Sequence, residues 1–573
     1  MTKSKKIAII IFLFIICIYK FSGLKWGLPY KTLSLRTYHP DESSMLFVMQ
    51  NFQPSRLNFD PGRIGNGDLF IYMTGAAIKF AQMLNLVTVT NDRNFYENNL
   101  IETSKLYLIG RILANIFFIF TVTVLFFTVE KIFSFNTALF CVFIFLIIPV
   151  YVLESHFYYT HIPILLPYLI SIYFSYNLLI TKNKKYYIFS AIFAGLAGAL
   201  QYDGIFAFVY LFAAHLIISE KKFFSNIFDK KIISSFFIAI FAFIAGTPYF
   251  LKYFPRILVI MKTMFFNHSK LPTIANIHYI QRFYYLFRGP IIGLGLGLYI
   301  LFTGSIIYII LKICRDKKNQ SPEKNKFYFL FIGFWFHYFV FIISKYHFFH
   351  YLTPMYMLMS VFIGYFIGDI FKILKLKIFK FAFAVILLII FYSTINYSYN
   401  IWRHFNEEDI REKASNYIID NIPEGAIIGV INFYYYTPPI IQYKNQNKFQ
   451  IARLDYSEKS VSEREIHKEI TKVIAEYQIN PKEILKKRIE KFEEIKPDYF
   501  VISSSEYLKD FPQNTEFYNY LLNNKEYKLI CKLSKNLDIG INGYIFKNWK
   551  IEGRYKIINP NIEIFERIKK NNL

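Results

Sequence analysis

The stretch Gly110–Phe133, GRILANIFFIFTVTVLFFTVEKIF, decides the class of fold. No charged residue stands between Arg111 and Glu130. A helix needs about 20 predominantly apolar residues to cross the hydrocarbon core of a bilayer. The run is long enough to do so, and it predicts a membrane-spanning helix.

Similar runs recur along the 573 residues of the chain, of which 54% are hydrophobic and 65 are Phe. Soluble domains average about 45–50% apolar residues and rarely contain such runs. We therefore predict a polytopic α-helical membrane protein with about eleven transmembrane helices. The predicted spans are Ile7–Ser22, Lys105–Val129, Asn136–Leu153, His161–Ile180, Tyr187–Leu200, Ile205–Ser219, Ile232–Phe250, Pro290–Leu311, Phe327–Ile343, His350–Phe371 and Phe379–Tyr397.

The formal net charge of +26 reflects Lys and Arg that cluster in short loops between these runs. On a soluble protein such an excess would suggest nucleic acid, but here it indicates topology, because basic loops stay cytoplasmic. The N-terminus is then cytoplasmic, and residues 23–104 and 251–289 form two long outer loops. The residue usage is typical of a prokaryote, so we expect the plasma (inner) membrane. The four cysteines are scattered and indicate neither a disulfide framework nor a metal set.

Residues 400–573 differ in character from the rest of the chain. Short apolar segments such as AIIGVINF, DYFVISS and YKLICKL alternate with polar helical patterns such as EEDIREKASNYIIDNI and PKEILKKRIEKFEEI. This alternation predicts a small α/β domain. Residues 1–399 form the predicted transmembrane domain, and an odd number of spans leaves the C-terminal domain extracytoplasmic.

Polar residues near the ends of the spans fall on one predicted side of the membrane, the outer one. Charged and imidazole groups are costly near hydrocarbon, so this grouping indicates a functional site. A pore would instead need polar groups through its whole depth. The candidates on this face are His39, Asp41, Glu42, His156, His161, Gln201, Asp203, Lys345 and His350.

Asp41 and Glu42 are the catalytic candidates. Adjacent residues of a helix point about 100° apart, so at most one of them faces a given substrate atom. Hydrolysis of a glycosidic bond typically needs two opposed carboxylates, whereas one suffices to take a proton from an acceptor hydroxyl when the leaving group is a phosphate. The structural alternative is a helix N-terminus, with Asp41 as the cap and Glu42 favouring the dipole. Both interpretations can hold together.

The histidines and Asp203 also have structural alternatives. His156 and His161 are five residues apart, which is not a standard spacing for metal ligands, so we favour hydrogen bonding over a metal site. A divalent metal therefore stays open as an alternative but is not indicated, and the sequence establishes no cofactor. Asp203 either serves the site or stabilises a turn in QYDG.

Basic residues near the outer face are candidates for phosphate binding. Arg282 and Arg288 belong to a basic set on the second outer loop. That set either grips a lipid phosphate or forms a solvated or headgroup-binding face. Lys345 and His350 flank the start of a span, where a lipid phosphate would lie.

Six segments, in order along the chain, resemble the integral-membrane GT-C glycosyltransferases. They are similar to the branch that contains the dolichyl-phosphate-mannose protein mannosyltransferases and the bacterial aminoarabinose transferases. The segments are YHPDE, GRILANIFFIFTVTVLFFTVEKIF, ESHFYYTHIPILL, AGLAGALQYDG, GTPYFLKYFPRIL and HYLTPMYMLM. The resemblance covers Ile7 to Phe371, and this branch implies the same arrangement of spans.

The resemblance implies an inverting glycosyltransferase, hexosyl or pentosyl, that uses a polyprenyl-phosphate-linked sugar. Asp41 would be the general base, and Glu42 would orient it or the acceptor. The other outer-face candidates and Tyr202 would bind substrate, with the lipid tail between spans. The C-terminal domain would help receive the acceptor, which is a protein, a lipid or a glycan. No nucleic acid is expected as a partner.

Three positions depart from the pattern of that branch: His161 stands where an Asp is usual, Gln201 where a Lys is usual, and His350 where an Arg is common. Two other functions stay open, and these departures bear on the second of them. One is a transporter or flippase of lipids or glycolipids, although the chain shows no internal repeat. The other is a non-catalytic relative that binds polyprenyl phosphate.

Overall fold

The structure is a computed structural model. It describes residues 7, 10, 11, 13, 14, 18–62, 67–219, 223–266, 279–316, 321–343, 349–431, 435–441, 448–454, 481–504, 512–535, 542 and 560–568. A helical pattern that the sequence suggests in SEREIHKEITKVIAEY lies outside these residues.

Helices dominate the described part of the chain up to residue 406, as the apolar runs predict. Their bounds are α1 (Pro29–Thr32), α2 (Pro40–Phe47), α3 (Leu69–Met83), α4 (Arg93–Asn98), α5 (Leu100–Ile132), α6 (Phe135–Ile147), α7 (Pro149–Glu154), α8 (Leu165–Thr181), α9 (Lys185–Leu200), α10 (Phe208–Ile218), α11 (Phe223–Ile227), α12 (Lys230–Gly246), α13 (Phe250–Phe266), α14 (Tyr279–Leu294), α15 (Leu296–Arg315), α16 (Pro322–Ile343), α17 (Thr353–Ile373) and α18 (Lys377–Asn406). Single 3₁₀ turns lie at Val48–Asn51, Pro54–Arg56, Tyr202–Ala207 and Phe349–Leu352.

Five of the described helices are long and apolar enough to cross a membrane: α5, α15, α16, α18, and α17 together with the 3₁₀ turn before it. Helix α12 and the first part of α13, bent by 104° at a short break, make a sixth if the pair is one span. Helices α6, α8, α9 and the segment Tyr202–Ile218 are apolar but shorter. The chain is therefore an integral membrane protein, and the number of about eleven spans stays a prediction.

Both long segments predicted to lie outside the membrane contain helices. In the first segment, α3 matches the apolar stretch GDLFIYMTGAAIKFAQMLNL and leaves Phe80 and Met83 exposed. Helices α13 and α14 occupy much of the second. Trp26, Tyr38 and Met45 from the first segment belong to the same buried apolar cluster as the long helices. The segment 23–104, for which we keep the name first outer loop from the prediction, is therefore packed onto the helical bundle.

Small residues set the spacing of α9, which carries the segment AGLAGAL. A Cβ atom at Gly195 would overlap the carbonyl oxygen of Ala239 in α12, and one at Gly246 would overlap Ala199. Small residues let helix backbones approach closely in membranes. Helix α9 ends at Leu200, and the 3₁₀ turn after it carries Tyr202 and Asp203.

The C-terminal region contains a five-stranded sheet. Its strands are β1 (Ile427–Val430), β2 (Gln450–Arg453), β3 (Tyr499–Ser503), β4 (Tyr527–Leu533) and β5 (Ile562–Arg567), and its helices are α19 (Ile410–Asn421), α20 (Pro481–Ile495) and α21 (Pro512–Asn523). The strand order is β2-β1-β3-β5-β4, with β5 antiparallel to both of its neighbours. Neighbouring residues of β3, Phe500 and Val501, belong to two different apolar clusters. Because side chains alternate along a strand, both faces of the sheet are covered. The domain boundary after residue 399 stays a prediction.

Candidate active site

Glu42 lies in a fully buried ion pair with Arg111. Arg111 is in α5, and its Nε and Nη2 atoms donate to the two carboxylate oxygens of Glu42 at 2.8 and 2.7 Å. Both side chains have no exposed surface. The Thr37 hydroxyl and the backbone N–H of Tyr158 also donate to Glu42, each at 2.6 Å. Four donors therefore occupy this carboxylate, and its charge is compensated in a dry environment.

Arg111 also fixes the path of the first outer loop. Its Nη1 atom donates to the carbonyl oxygens of Leu24 and Trp26 at 2.6 and 2.7 Å. A Cβ atom at Gly110 would overlap the ring of Tyr158, so a glycine is needed there. Close packing against Tyr158 thus explains the glycine at position 110, and the contacts with the loop explain the arginine at position 111. Arg111 was not among the residues predicted for the site, although a charge inside an apolar run was a usable signal.

Asp41 lies on the same turn as Glu42 but in a different environment. Helix α2 begins at Pro40, and its N-cap is His39, whose Nδ1 accepts the backbone N–H of Asp41 at 3.3 Å. The alternative that Asp41 caps the helix is therefore wrong, because Pro40 already occupies the first helical position and Asp41 follows it. Asp41 is partly exposed, whereas Glu42 is buried. Both acids lie in the first turn, where the helix dipole favours negative charge.

Several of the predicted site residues meet in one cluster near α2. The ring of His39 lies 6.5 Å from that of Tyr159, and Tyr159 lies 4.8 Å from His161. The rings of His161 and His350 are 4.6 Å apart. The Oε1 atom of Gln201 lies 3.0 Å from His161 Nδ1. We call His39, His161, Gln201 and His350 the imidazole cluster; all four are buried. It contains the three positions that depart from the family pattern.

His156 does not belong to the imidazole cluster. Its Nδ1 and Nε2 atoms lie 2.6 and 3.0 Å from the carbonyl oxygens of Val152 and Ser22, and its ring stacks on Phe405 at 4.0 Å. Burial lowers the pKa of His156 to about 4, although these carbonyl hydrogen bonds raise it. The ring therefore links the end of α7 to the segment around Ser22, which agrees with the hydrogen-bonding interpretation.

Tyr202 and Asp203 lie on the 3₁₀ turn after α9 but face other neighbours. The ring of Tyr202 packs against Phe243 and Phe250. The Oδ2 atom of Asp203 lies 3.8 Å from Nε2 of His337, a buried residue of α16 that the sequence analysis did not select. Gln201, which directly precedes the turn, thus joins the imidazole cluster, whereas Asp203 within the turn makes a separate contact.

The basic candidates are described only in part. Arg288 lies in α14 and is partly exposed. Lys345 and the side chain of Arg282 lie outside the described residues. No group of three or more His, Cys, Asp or Glu residues that could hold a metal ion occurs within the described ranges.

Asp60, which was not among the predicted residues, anchors the first outer loop to α13. It pairs with Lys252, and the Tyr253 hydroxyl donates to its two carboxylate oxygens at 2.9 and 3.0 Å. Burial raises the pKa of Asp60, but the hydrogen bonds from Lys252, Tyr253 and the Gly62 N–H outweigh it and hold the pKa below its usual value. These partners are more than 190 residues away along the chain, apart from Gly62, so sequence spacing gave no signal.

The long apolar helices define the class as an integral membrane protein, in which several of the predicted site residues lie close together. Residues 105–249 match the model of the dolichyl-phosphate-mannose-protein mannosyltransferase family. The match confirms the resemblance to GT-C glycosyltransferases. The matched segment contains Arg111, His161 and Gln201, which contribute to the ion pair with Glu42 and to the imidazole cluster.

The chain is also similar to solved structures at low identity. One is ArnT from Cupriavidus metallidurans bound to undecaprenyl phosphate, with 9% identity and a TM-score of 0.49 over 98% of each chain. Another is the oligosaccharyltransferase of Archaeoglobus fulgidus in the apo form, with 12% identity and a TM-score of 0.46 over 99% of this chain and 89% of that one. No curated protein sequence matches the chain.

Proposed function

We propose that the protein is an inverting glycosyltransferase that moves a sugar from a polyprenyl-phosphate-linked donor to an acceptor hydroxyl. The reaction takes place at the extracytoplasmic face of a prokaryotic plasma membrane. Two observations support the proposal: the family match over residues 105–249 and the arrangement of the acidic pair. The pattern of basic loops supports the orientation, with the N-terminus cytoplasmic and the C-terminal domain outside.

The different environments of Asp41 and Glu42 carry the proposal. The carboxylate oxygens of Glu42 accept hydrogen bonds from Arg111, Thr37 and Tyr158, and we therefore assign Glu42 a structural role. Asp41 is partly exposed on a helix that this ion pair holds in place. A catalytic base needs access to its substrate and a fixed position. Asp41 meets both requirements, so we assign it the role of general base, while Glu42 positions it.

In the proposed reaction, Asp41 accepts the proton of the acceptor hydroxyl. The hydroxyl oxygen forms a bond to the anomeric carbon as the bond from that carbon to the phosphate oxygen breaks. The polyprenyl phosphate leaves with the electron pair of the broken bond. A single displacement of this kind inverts the anomeric configuration, and nearby cations stabilise the phosphate that leaves.

The imidazole cluster is the proposed contact for the donor. Its imidazole and amide groups offer hydrogen-bond donors and acceptors next to α2, which suits sugar hydroxyls and phosphate oxygens. Arg288, Arg282 and Lys345, which the sequence predicts on the outer face, are the proposed phosphate ligands. Tyr202 and Asp203 directly follow Gln201 along the chain and, with His156, are proposed to bind substrate around the cluster. The C-terminal region is proposed to receive the acceptor.

A second candidate function is a non-catalytic protein that binds polyprenyl phosphate. The observation that favours it is that the three family departures, His161, Gln201 and His350, lie side by side. The family usually has an acid and two permanently charged cations at these positions, whereas this chain has two titratable imidazoles and a neutral amide. The intact acidic pair and the hydrogen bond between His161 and Gln201 favour an adapted site over a decayed one.

The experiment that tests the proposal supplies purified protein with radiolabelled polyprenyl-phosphate sugars and candidate acceptors. Asp41→Asn should lower sugar transfer by about 10²–10⁴-fold while leaving donor binding unchanged. The matched control is Asp92→Asn, because Asp92 caps α4 in the same loop and Asn is an equally good cap. Full activity of Asp41→Asn would remove Asp41 from the mechanism. Donor binding without transfer by the wild type would favour the second candidate.

A further inference from the structure

Asp409 and Arg411 form a second buried ion pair, where the C-terminal region meets the first outer loop. The guanidinium of Arg411 donates to the two carboxylate oxygens of Asp409 at 2.7 and 2.9 Å. The two side chains are 0% and 1% exposed. Asp409 is also the N-cap of α19 and accepts the backbone N–H of Arg411 at 2.9 Å. The pair is therefore a local, rigid unit at the start of that helix.

This ion pair contacts the first outer loop through two aromatic side chains. The guanidinium carbon of Arg411 lies 3.6 Å from the centroid of the Tyr38 ring and 5.5 Å from that of Trp26. The Trp26 indole Nε1 donates to Asp409 at 3.1 Å. A guanidinium on an aromatic face is attracted by the ring, and more strongly where water is excluded. Tyr38 is fully buried beneath Arg411.

One route leads from this contact to Asp41 along the chain. Tyr38 is followed directly by His39, the N-cap of α2, whose ring accepts the amide of Asp41. The position of the Tyr38 ring therefore fixes the residue that begins the helix of the proposed base. Arg411 packs on that ring from the side of the C-terminal region.

A second route passes through Trp26. Its indole is bound to Asp409, and its carbonyl oxygen accepts from Arg111 at 2.7 Å. Arg111 in turn holds Glu42, the neighbour of Asp41. The two buried ion pairs are thus joined by one residue.

We propose that Arg411 and Asp409 are positioning residues for Asp41, so that the C-terminal region completes the active site as well as receiving the acceptor. The expected kinetic effect rests on the proposed glycosyl transfer. The expected structural effect does not, because it is measured on the backbone of the loop.

The test uses the full-length chain in detergent and the variants Arg411→Ala, Arg411→Lys and Tyr38→Leu. Lys keeps the charge but not the planar fork, and Leu removes the ring. Hydrogen exchange over residues 37–47 should become about tenfold faster in all three. With a donor that the wild type uses, kcat should fall by about 100-fold, since small displacements of a catalytic group are costly. The KM for the donor should stay within about threefold.

Two controls alter the same junction without disturbing the contact. Tyr38→Phe keeps the ring and removes a hydroxyl that has no hydrogen-bond partner among the described residues. Lys31→Gln removes the pair between Lys31 and Glu412, in which the Lys31 side chain is 41% exposed. Both variants should stay within about twofold of the wild type in exchange and in kcat.

Unchanged exchange over residues 37–47 in folded Arg411→Ala would overturn the inference. A rise spread evenly over the chain would overturn it as well, because it would mark a purely structural role. If Arg411→Ala does not fold, Arg411→Lys and Tyr38→Leu decide the question by the same measure. A wild type without transfer activity would contradict the proposed function and leave the exchange measurement valid.

Discussion

Two buried arginines hold the first outer loop from different parts of the molecule, and they do so in different ways. The carboxylate partner of Arg111 is Glu42, 69 residues earlier in the chain, whereas the partner of Arg411 is Asp409, two residues away. The ion pair of Arg111 with Glu42 can form only when the loop packs against α5, because its two partners lie in these two elements. The second pair belongs to one helix start and reaches the loop through aromatic contacts. Trp26 touches both, with its carbonyl on one side and its indole on the other.

The difference indicates that the two ion pairs have different tasks. Burying a charge is costly, and removal of one partner of a buried pair leaves the other uncompensated. Breaking the pair of Arg111 therefore affects the fold of the loop itself. Weakening the contact of Arg411 with the loop affects its docking, because Arg411 and Asp409 still compensate each other.

The largest effect on stability is expected for Glu42→Gln. The change keeps the size of the side chain but removes the charge that compensates Arg111. We expect a loss of about 3–5 kcal/mol in the free energy of unfolding, measured by thermal unfolding of the purified protein in detergent. Glu97→Gln is the control, because Glu97 pairs with a mostly exposed Arg93 and should contribute at most about 1 kcal/mol. Equal effects of the two variants would contradict the conclusion that the buried ion pair between Glu42 and Arg111 stabilises the fold.

A smaller effect is expected for Trp26→Phe, which separates the two ion pairs. The variant loses the indole N–H that Asp409 accepts, but its backbone carbonyl still accepts from Arg111. A hydrogen bond to a charged group contributes about 1.5–3 kcal/mol, and we expect a loss of that size in thermal unfolding. Hydrogen exchange should rise at the start of α19 and not in α5. A rise in α5 would show that the two ion pairs form one unit.

The smallest effect is expected at Asp60, whose partner Lys252 has a side chain that is 61% exposed. Its lowered pKa means that the unfolded chain binds a proton more readily than the folded one. The stabilisation is therefore present above the unfolded value of about 3.9 and is lost as the pH falls through the folded pKa. Asp60→Asn should cost about 1 kcal/mol at neutral pH. The difference between wild type and variant in thermal midpoint should shrink from pH 6 towards pH 3. A difference independent of pH would contradict the role of the carboxylate.

Much of the helical architecture was predictable from the sequence. Each predicted span from Lys105 onward coincides with an apolar helix or helix pair, because a bilayer requires long uncharged runs. The two elements missed in the C-terminal sheet are β2 and β5. Strand β2 has four residues and includes Gln450 and Arg453, and β5 places Glu563 between Ile562 and Ile564. Short strands of mixed polarity carry little periodic signal.

The candidate site was predictable as a set of residue types and not as a set of contacts. The sequence selected His161, Gln201 and His350, and the structure brings them together. It did not select Arg111 or Asp60, whose partners lie far away along the chain. Their pairing depends on how the outer loop folds back onto the helices, which no local pattern records.

The sequence by itself determined that this chain is a membrane protein and that two adjacent acids follow its first apolar run. Only the tertiary structure decided which of the two acids is buried in an ion pair. Asp41 and Glu42 are both carboxylic acids and point about 100° apart around one helix. The residues that pack against each side of the helix therefore decide which of the two carboxylates is buried. Arg111, brought in by α5, occupies Glu42 and leaves Asp41 as the partly exposed carboxylate of the pair.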